Sequence, residues 1–173
     1  MRYILLLLVI TASLSASAQV DTLPPLTSVI YGVHDGDSYY FSAALPARRT
    51  YRIAGADTPE VFGGYVSATQ PLGREVADSV RQIIKGQQVL YNIVGIDKYK
   101  RPIVVVYVNG RDLALTILER GWGYAVKTKF LPADINRQYS DAAKGAKKKR
   151  LGVYGLKNQV SPAKWRKQHP MPG

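Results

Sequence analysis

The stretch R-I-A-G-A-D-T-P-E at residues 52–60 packs Arg52, Asp57, Thr58 and Glu60 into a single short run. Tyr51 and Ile53 alternate there with Arg52 and Ala54, which is the period of a strand with one buried face. Pro59 has no amide donor and drives Thr58 away from helical conformation, so the strand ends at this corner. Asp57 and Glu60 then project from one sharp bend. Such a bend suits a hard cation held by Asp57 with Glu60 left free, and the pair in Asp35-Gly36-Asp37 offers carboxylates to complete the site. Taken alone, Asp35-Gly36-Asp37 also reads as a hairpin turn, and Asp57-Thr58-Pro59 as an Asx turn before proline.

Working upstream from that corner, strands are predicted over 27–34 and from Ser38 to about Leu45, joined at Asp35-Gly36. Pro46-Ala47 breaks the second, and 48–55 supplies a third, so a three-stranded meander is complete before the corner. Downstream, the glycine-rich segment 61–69 reads as a mobile loop beside the site. Leu72, Val76, Val80, Ile83 and Ile84 then recur at helical spacing until Lys85 and Gly86 stop the run. Strands follow over 89–94 and 102–108, the latter ending at the tight-turn pair Asn109-Gly110.

Leu113, Ile117 and Leu118 mark a short helix closed by Gly121. A third helix starts near Pro132, with Ile135, Tyr139, Ala142, Ala143 and Ala146 on one face and the basic run 147–150 at its C-terminal end. Beyond Lys157 the chain turns polar and proline-bearing and reads as a loose tail. Five strands and three helices without alternating β-α-β units predict an α+β, mainly β fold: a five-stranded OB-type Greek-key barrel with three helices.

A chain of 173 residues with 46 % apolar content supports one domain. Met1-Arg2, the apolar run from Ile4 to Ile10 and Ala16-Ser17-Ala18 have the layout of a signal peptide cleaved after Ala18. The expected plan is a signal peptide over 1–18, an extended leader over 19–26, the barrel over 27–157 and a basic tail over 158–173. Export to a periplasm or to the outside follows, with no membrane span and no obligate protein partner; a monomer is expected. The absence of cysteine excludes disulfides, thiolate metal sites and a cysteine nucleophile. With two histidines, His34 beside the corner and His169 in the tail, a paired-histidine nuclease lacks its parts.

The formal net charge is +12, and loss of Arg2 with the signal leaves +11. From 127 to the end there are 12 Lys or Arg against 2 Asp or Glu, so the excess lies in the C-terminal quarter. That distribution fits either a polyanionic partner or a solvated basic helix.

D-G-D-S at 35–38, Y-R at 51–52, D-T-P-E at 57–60 and D-K-Y-K-R at 97–101 occur in order. In this the sequence resembles the staphylococcal-nuclease-type thermonucleases, from about Val29 to Tyr154. The resemblance implies a calcium-dependent phosphodiesterase acting on DNA and RNA, with 3′-phosphate products. By the same resemblance Asp37, Asp57 and the Thr58 carbonyl would hold calcium, Glu60 would be the general base, and Arg52 and Arg101 would bind the phosphate. Lys98 and Tyr99 match positions at the terminal phosphate of a bound nucleotide.

The residue types suit that chemistry. Phosphodiester cleavage needs an activated water and neutralisation of the equatorial oxygens, and forked guanidiniums strengthen as charge builds there. The competing reading is a non-catalytic OB module that binds nucleic acid, which has no need of these five charged residues together. The chain departs from the family pattern in three places. Lys100 stands where a glycine usually precedes Arg101, at a cost of roughly 1–2 kcal/mol if its φ is positive. Lys127 and Lys129 replace two tyrosines beside the nucleotide ring and are expected to contact substrate as cations. Ser38 replaces a threonine and keeps the hydroxyl.

Overall fold

A computed structural model describes residues 25–42 and 50–172. The predicted signal peptide, most of the leader, and the end of the second predicted strand with its Pro46-Ala47 break lie outside the described residues. The chain runs β1 (Leu26–Asp35), β2 (Ser38–Phe41), β3 (Thr50–Ile53), β4 (Ala56–Asp57), α1 (Gly73–Ile84), β5 (Gln88–Ile96), β6 (Pro102–Val108), β7 (Arg111–Asp112), α2 (Leu113–Glu119), β8 (Tyr124–Ala125), α3 (Ala133–Lys148) and α4 (Pro162–Gln168).

The five longer strands, β1, β2, β3, β5 and β6, form the barrel. Antiparallel pairing runs β3-β2-β1-β5-β6, and a parallel pairing of β3 with β6 closes the circle through Arg52 opposite Ile103 and Ile53 opposite Val104. The predicted OB-type class holds. The two-residue strands were too short to leave a periodic signal in the sequence; β4 and β8 pair with each other, tying Asp57 to Tyr124.

Alternation in the strands becomes the core. Ile30, Val33, Tyr39, Phe41, Tyr51, Ile53, Val89, Tyr91, Val104 and Val106 are buried within it. Rings of Phe41, Tyr51 and Tyr91 pack at centroid distances of 4.5–6.2 Å. Burying an aliphatic or aromatic side chain of this size is worth about 1.5–3 kcal/mol each. The apolar face of α1, with Val76, Val80 and Ile84 inward, lies against β1. Asp112 caps α2 by accepting the Leu115 amide at 3.1 Å, and the Tyr139 hydroxyl of α3 donates to the same carboxylate.

Gly55 is the hinge of the opening stretch. Its φ is +78°, and a Cβ there would stand 2.4 Å from the Tyr139 ring, so both backbone conformation and space demand glycine. The bend turns the chain from β3 into β4 and delivers Asp57 to the same end of the barrel as Arg52.

The C-terminal segment differs from expectation. It is not a loose tail beyond Lys157, because Ser161 accepts the Lys164 amide and Pro162 occupies the first turn of α4. Segment 61–69 differs as well. The Ser67 amide donates to the His169 carbonyl at 3.0 Å, Val66 is fully buried, and Val66 bridges to Pro170, so the C-terminal segment pins this loop.

Candidate active site

The turn between β1 and β2 sets the first carboxylates. Asp35 accepts the Asp37 amide at 3.2 Å. A Cβ on Gly36 would lie 2.6 Å from Val76 and 2.9 Å from Thr58, so the turn can press against the corner only with glycine there. Asp37 is fully engaged. Its Oδ1 accepts from Ser38 Oγ at 3.0 Å and from Arg52 Nη1 at 2.7 Å, and its Oδ2 accepts from the Thr58 amide at 2.7 Å and Thr58 Oγ1 at 3.3 Å.

Arg52 also reaches Asp57 Oδ1 through Nη2, so one guanidinium from β3 bridges carboxylates from the β1–β2 turn and from β4. Glu60 follows at the corner. Gln70 holds its backbone from both sides, accepting the Glu60 amide at 3.2 Å and donating its own amide to the Glu60 carbonyl at 2.8 Å. From the far end of the chain, Arg166 of α4 forks onto Asp57 at 3.0 and 3.2 Å, and its Nη1 also binds Glu60 Oε1.

Three buried carboxylates, Asp37, Asp57 and Glu60, thus share two guanidiniums, and Asp35 is buried beside them without an ion pair to either. Burial pushes Asp37 up to about 7; the Asp35 and Asp57 charges add to the rise, while Arg52 and the Thr58 amide oppose it. Burial and then Glu60 raise Asp35. Glu60 is raised by burial and restrained by its bond to Arg166. Burial works against the Arg52 charge, but Asp37 and Asp57 outweigh it and hold the guanidinium protonated.

Asp35, Arg52, Glu60 and Arg166 line an open cavity of about 590 Å³, while Asp37 and Asp57 are buried and do not reach its surface. Arg101, Lys98 and Tyr99 line the same cavity from the turn after β5. Asp97 organises that turn. It accepts the Tyr99 and Arg101 amides, each at 2.8 Å, and Arg101 Nε at 2.7 Å. The Arg101 guanidinium lies over the rings of Tyr65 and Tyr99, which are themselves 4.9 Å apart. Lys100 has a φ of 63°, so the left-handed strain expected for a lysine at this position applies.

The structure brings together Asp37, Arg52, Asp57, Thr58 and Glu60, and places Arg101, Lys98 and Tyr99 on the cavity that Arg52 and Glu60 also line. Lys127 and Lys129 are exposed, whereas their neighbours Val126 and Thr128 line the cavity. Asn136 fixes that segment by bonding the Thr128 amide at 2.9 Å and its carbonyl at 3.0 Å.

The family described as staphylococcal nuclease homologue matches residues 50–155, which include Arg52, Asp57, Glu60 and Arg101. The chain belongs to this family. Similar proteins include a probable endonuclease of Uncinocarpus reesii, 32 % identical over 126 residues, or 66 % of this chain and 40 % of that protein. A staphylococcal-like nuclease of Arabidopsis thaliana is 25 % identical over 132 residues, or 75 % of this chain and 37 % of its own length. An uncharacterised endonuclease of Haemophilus influenzae is 24 % identical over 163 residues, covering 94 % of this chain and 83 % of that protein. The chain therefore spans about two-fifths of the first two relatives.

The donor chemistry of this corner fits a hard divalent cation. All the anionic groups offer oxygen, and the Asp35 and Asp57 charges add to the rise that burial imposes on Asp37, a rise that a cation beside them would oppose. Among the described residues, no three His, Asp or Glu side chains are grouped to hold a metal by themselves. A cation at this corner would draw on backbone oxygen as well.

Tyr65, Gln70 and Arg166 are site residues that the sequence reading missed. Ser161-Pro162 is a legible helix start, but nothing in the sequence indicates where that helix aims Arg166.

Proposed function

We propose that this protein is an exported, calcium-dependent endonuclease that hydrolyses phosphodiester bonds of DNA and RNA to 3′-phosphate and 5′-hydroxyl ends. The observation that carries the reading is Arg52 bridging Asp37 and Asp57 beside Glu60, on a cavity that Arg101 also lines. The endonuclease names of the relatives support the reaction class. The residues at 1–18 support export through their charge and hydropathy pattern.

Calcium held by Asp37, Asp57 and the Thr58 carbonyl would supply positive charge at the phosphoryl oxygens. Glu60 accepts a proton from the attacking water, whose oxygen forms the new bond to phosphorus as the bond to the 5′ oxygen breaks and that oxygen takes up a proton. Arg52 and Arg101 donate to the non-bridging oxygens and bind them more strongly as negative charge grows, which lowers the barrier rather than only the substrate's free energy. Lys98 and Tyr99 meet the neighbouring phosphate. Lys127 and Lys129 contact the strand beyond the cavity rim by charge.

A non-catalytic binding module would explain the cavity and the charge but not five ionisable residues converging on one point. Incubation of the mature protein with single-stranded DNA, duplex DNA and RNA, in calcium or in chelator, separates the two readings. Cleavage in calcium, none in chelator, and 3′-phosphate ends are expected. Binding without cleavage would establish the module instead, and undiminished cleavage in chelator would remove the metal.

A further inference from the structure

Arg166 lies beyond residue 155, where the family match ends, yet it touches two of the central carboxylates. Its placement is built in. The Trp165 indole Nε1 donates to the Ala68 carbonyl at 3.0 Å, and the Trp165 ring stacks on His169 at 3.8 Å. Gln70, which holds the Glu60 backbone, donates its side-chain amide to the Val160 carbonyl at 2.6 Å. Thus the segment leading into α4 and the loop carrying Glu60 are fastened to each other on both sides of Arg166.

Glu60 has one carboxylate oxygen on Arg166, and among the described residues its other oxygen accepts no hydrogen bond. A carboxylate held at one oxygen and open at the other is oriented without being blocked. Three of the five N–H donors of Arg166 are used on Asp57 and Glu60, and its side chain also lines the cavity. A lysine, with one point charge, does not reproduce a planar fork that spans two carboxylates.

From this geometry we infer that Arg166 is a positioning residue of the active site, delivered by α4, that fixes the Glu60 carboxylate for proton transfer. The inference rests on the proposed role of Glu60 as the base. It makes the C-terminal segment a working part of the nuclease.

The test is a double-mutant cycle on the full-length protein with Arg166→Ala, Arg166→Lys, Glu60→Gln and the double variant Arg166→Ala with Glu60→Gln, measuring kcat and KM on single-stranded DNA in calcium. Arg166→Ala is expected to lower kcat about 10- to 100-fold, as a misplaced catalytic group does, with KM changed less than about threefold. Arg166→Lys should recover part of the loss. The double variant should be no slower than Glu60→Gln alone, because a residue acting through Glu60 has nothing left to position.

Trp165 fluorescence and Tm report whether α4 remains docked in each variant. If Arg166→Ala undocks it, the kcat of Arg166→Lys and the coupling decide. Unchanged kcat, higher kcat from release of a cationic plug, a change confined to KM, or full additivity with Glu60→Gln would each overturn the inference. Near wild-type activity of Glu60→Gln would instead refute the base assignment, and an inactive wild-type protein would refute the nuclease reading; either removes this role with it.

Discussion

Lys100 shows how one residue carries a cost for its neighbour's placement. Its φ of 63° is the left-handed conformation that costs an L-residue with a Cβ about 1–2 kcal/mol, and the turn it closes aims Arg101 into the cavity. Glycine loses more entropy on folding, which offsets part of that gain. Lys100→Gly is therefore expected to raise the free energy of unfolding by about 0.5–1 kcal/mol, read as a shift in denaturant midpoint at constant slope. An unchanged or lower midpoint would mean that contacts of the lysine outweigh the strain. The departure from the family pattern was visible in the sequence, and the backbone angle that gives it meaning was not.

Among the elements, α4 and the loop at 61–72 stand or fall together. Val66 is the loop's fully buried apolar side chain, Phe62 and Tyr65 are largely exposed, and the stitching to α4 runs through Ser67, Ala68 and Gln70. Trp165→Ala removes the largest of these contacts and the hydrogen bond to Ala68. The expected result is faster hydrogen exchange at the Ser67 amide by at least tenfold, with exchange in β5 and β6 unaltered, since local opening there costs less than global unfolding. Equal protection in both proteins would show that the loop holds itself. The element map also shows what a sequence can reveal. Helices α1 to α3 and the five barrel strands announced themselves by periodicity. The two-residue strands β4, β7 and β8 have too few residues for a period, and α4 hid its purpose because its partner, the loop, is about a hundred residues away in the chain.

For the whole molecule, the carboxylate cluster ties stability to pH. Asp35, Asp37 and Glu60 all titrate above the ordinary carboxylate range, Asp37 at about 7, each chiefly through burial. Between pH ~4, where unfolded carboxylates lose their protons, and about 7, the native state binds more protons than the unfolded state, so its stability falls as pH rises through that window. Asp97, lowered by its bonds to Arg101 and Tyr99 against the cost of burial, acts in the opposite sense but below that window. In chelator, Tm should therefore decline between pH 5 and about 7.5, and Asp37→Asn should flatten the decline. Calcium should restore Tm more at the higher pH, because a cation that binds only the native site stabilises it by mass action. A Tm that rises over this range in chelator would show that the cluster is better compensated than its burial implies.

The parallel rung between Arg52 and Ile103 has a consequence for how the molecule comes to be active. It is the contact that closes the barrel, it joins strands far apart in sequence, and it sets Arg52 beside the start of β6, which Arg101 immediately precedes. Contacts of such long sequence separation form late in folding, since the entropy of ordering the intervening chain must first be overcome. Until that rung forms, the two arginines stand at opposite edges of an open sheet. Under the proposed function, refolding and the return of cleavage are therefore expected as one kinetic event, with no half-assembled intermediate able to cut nucleic acid on the way.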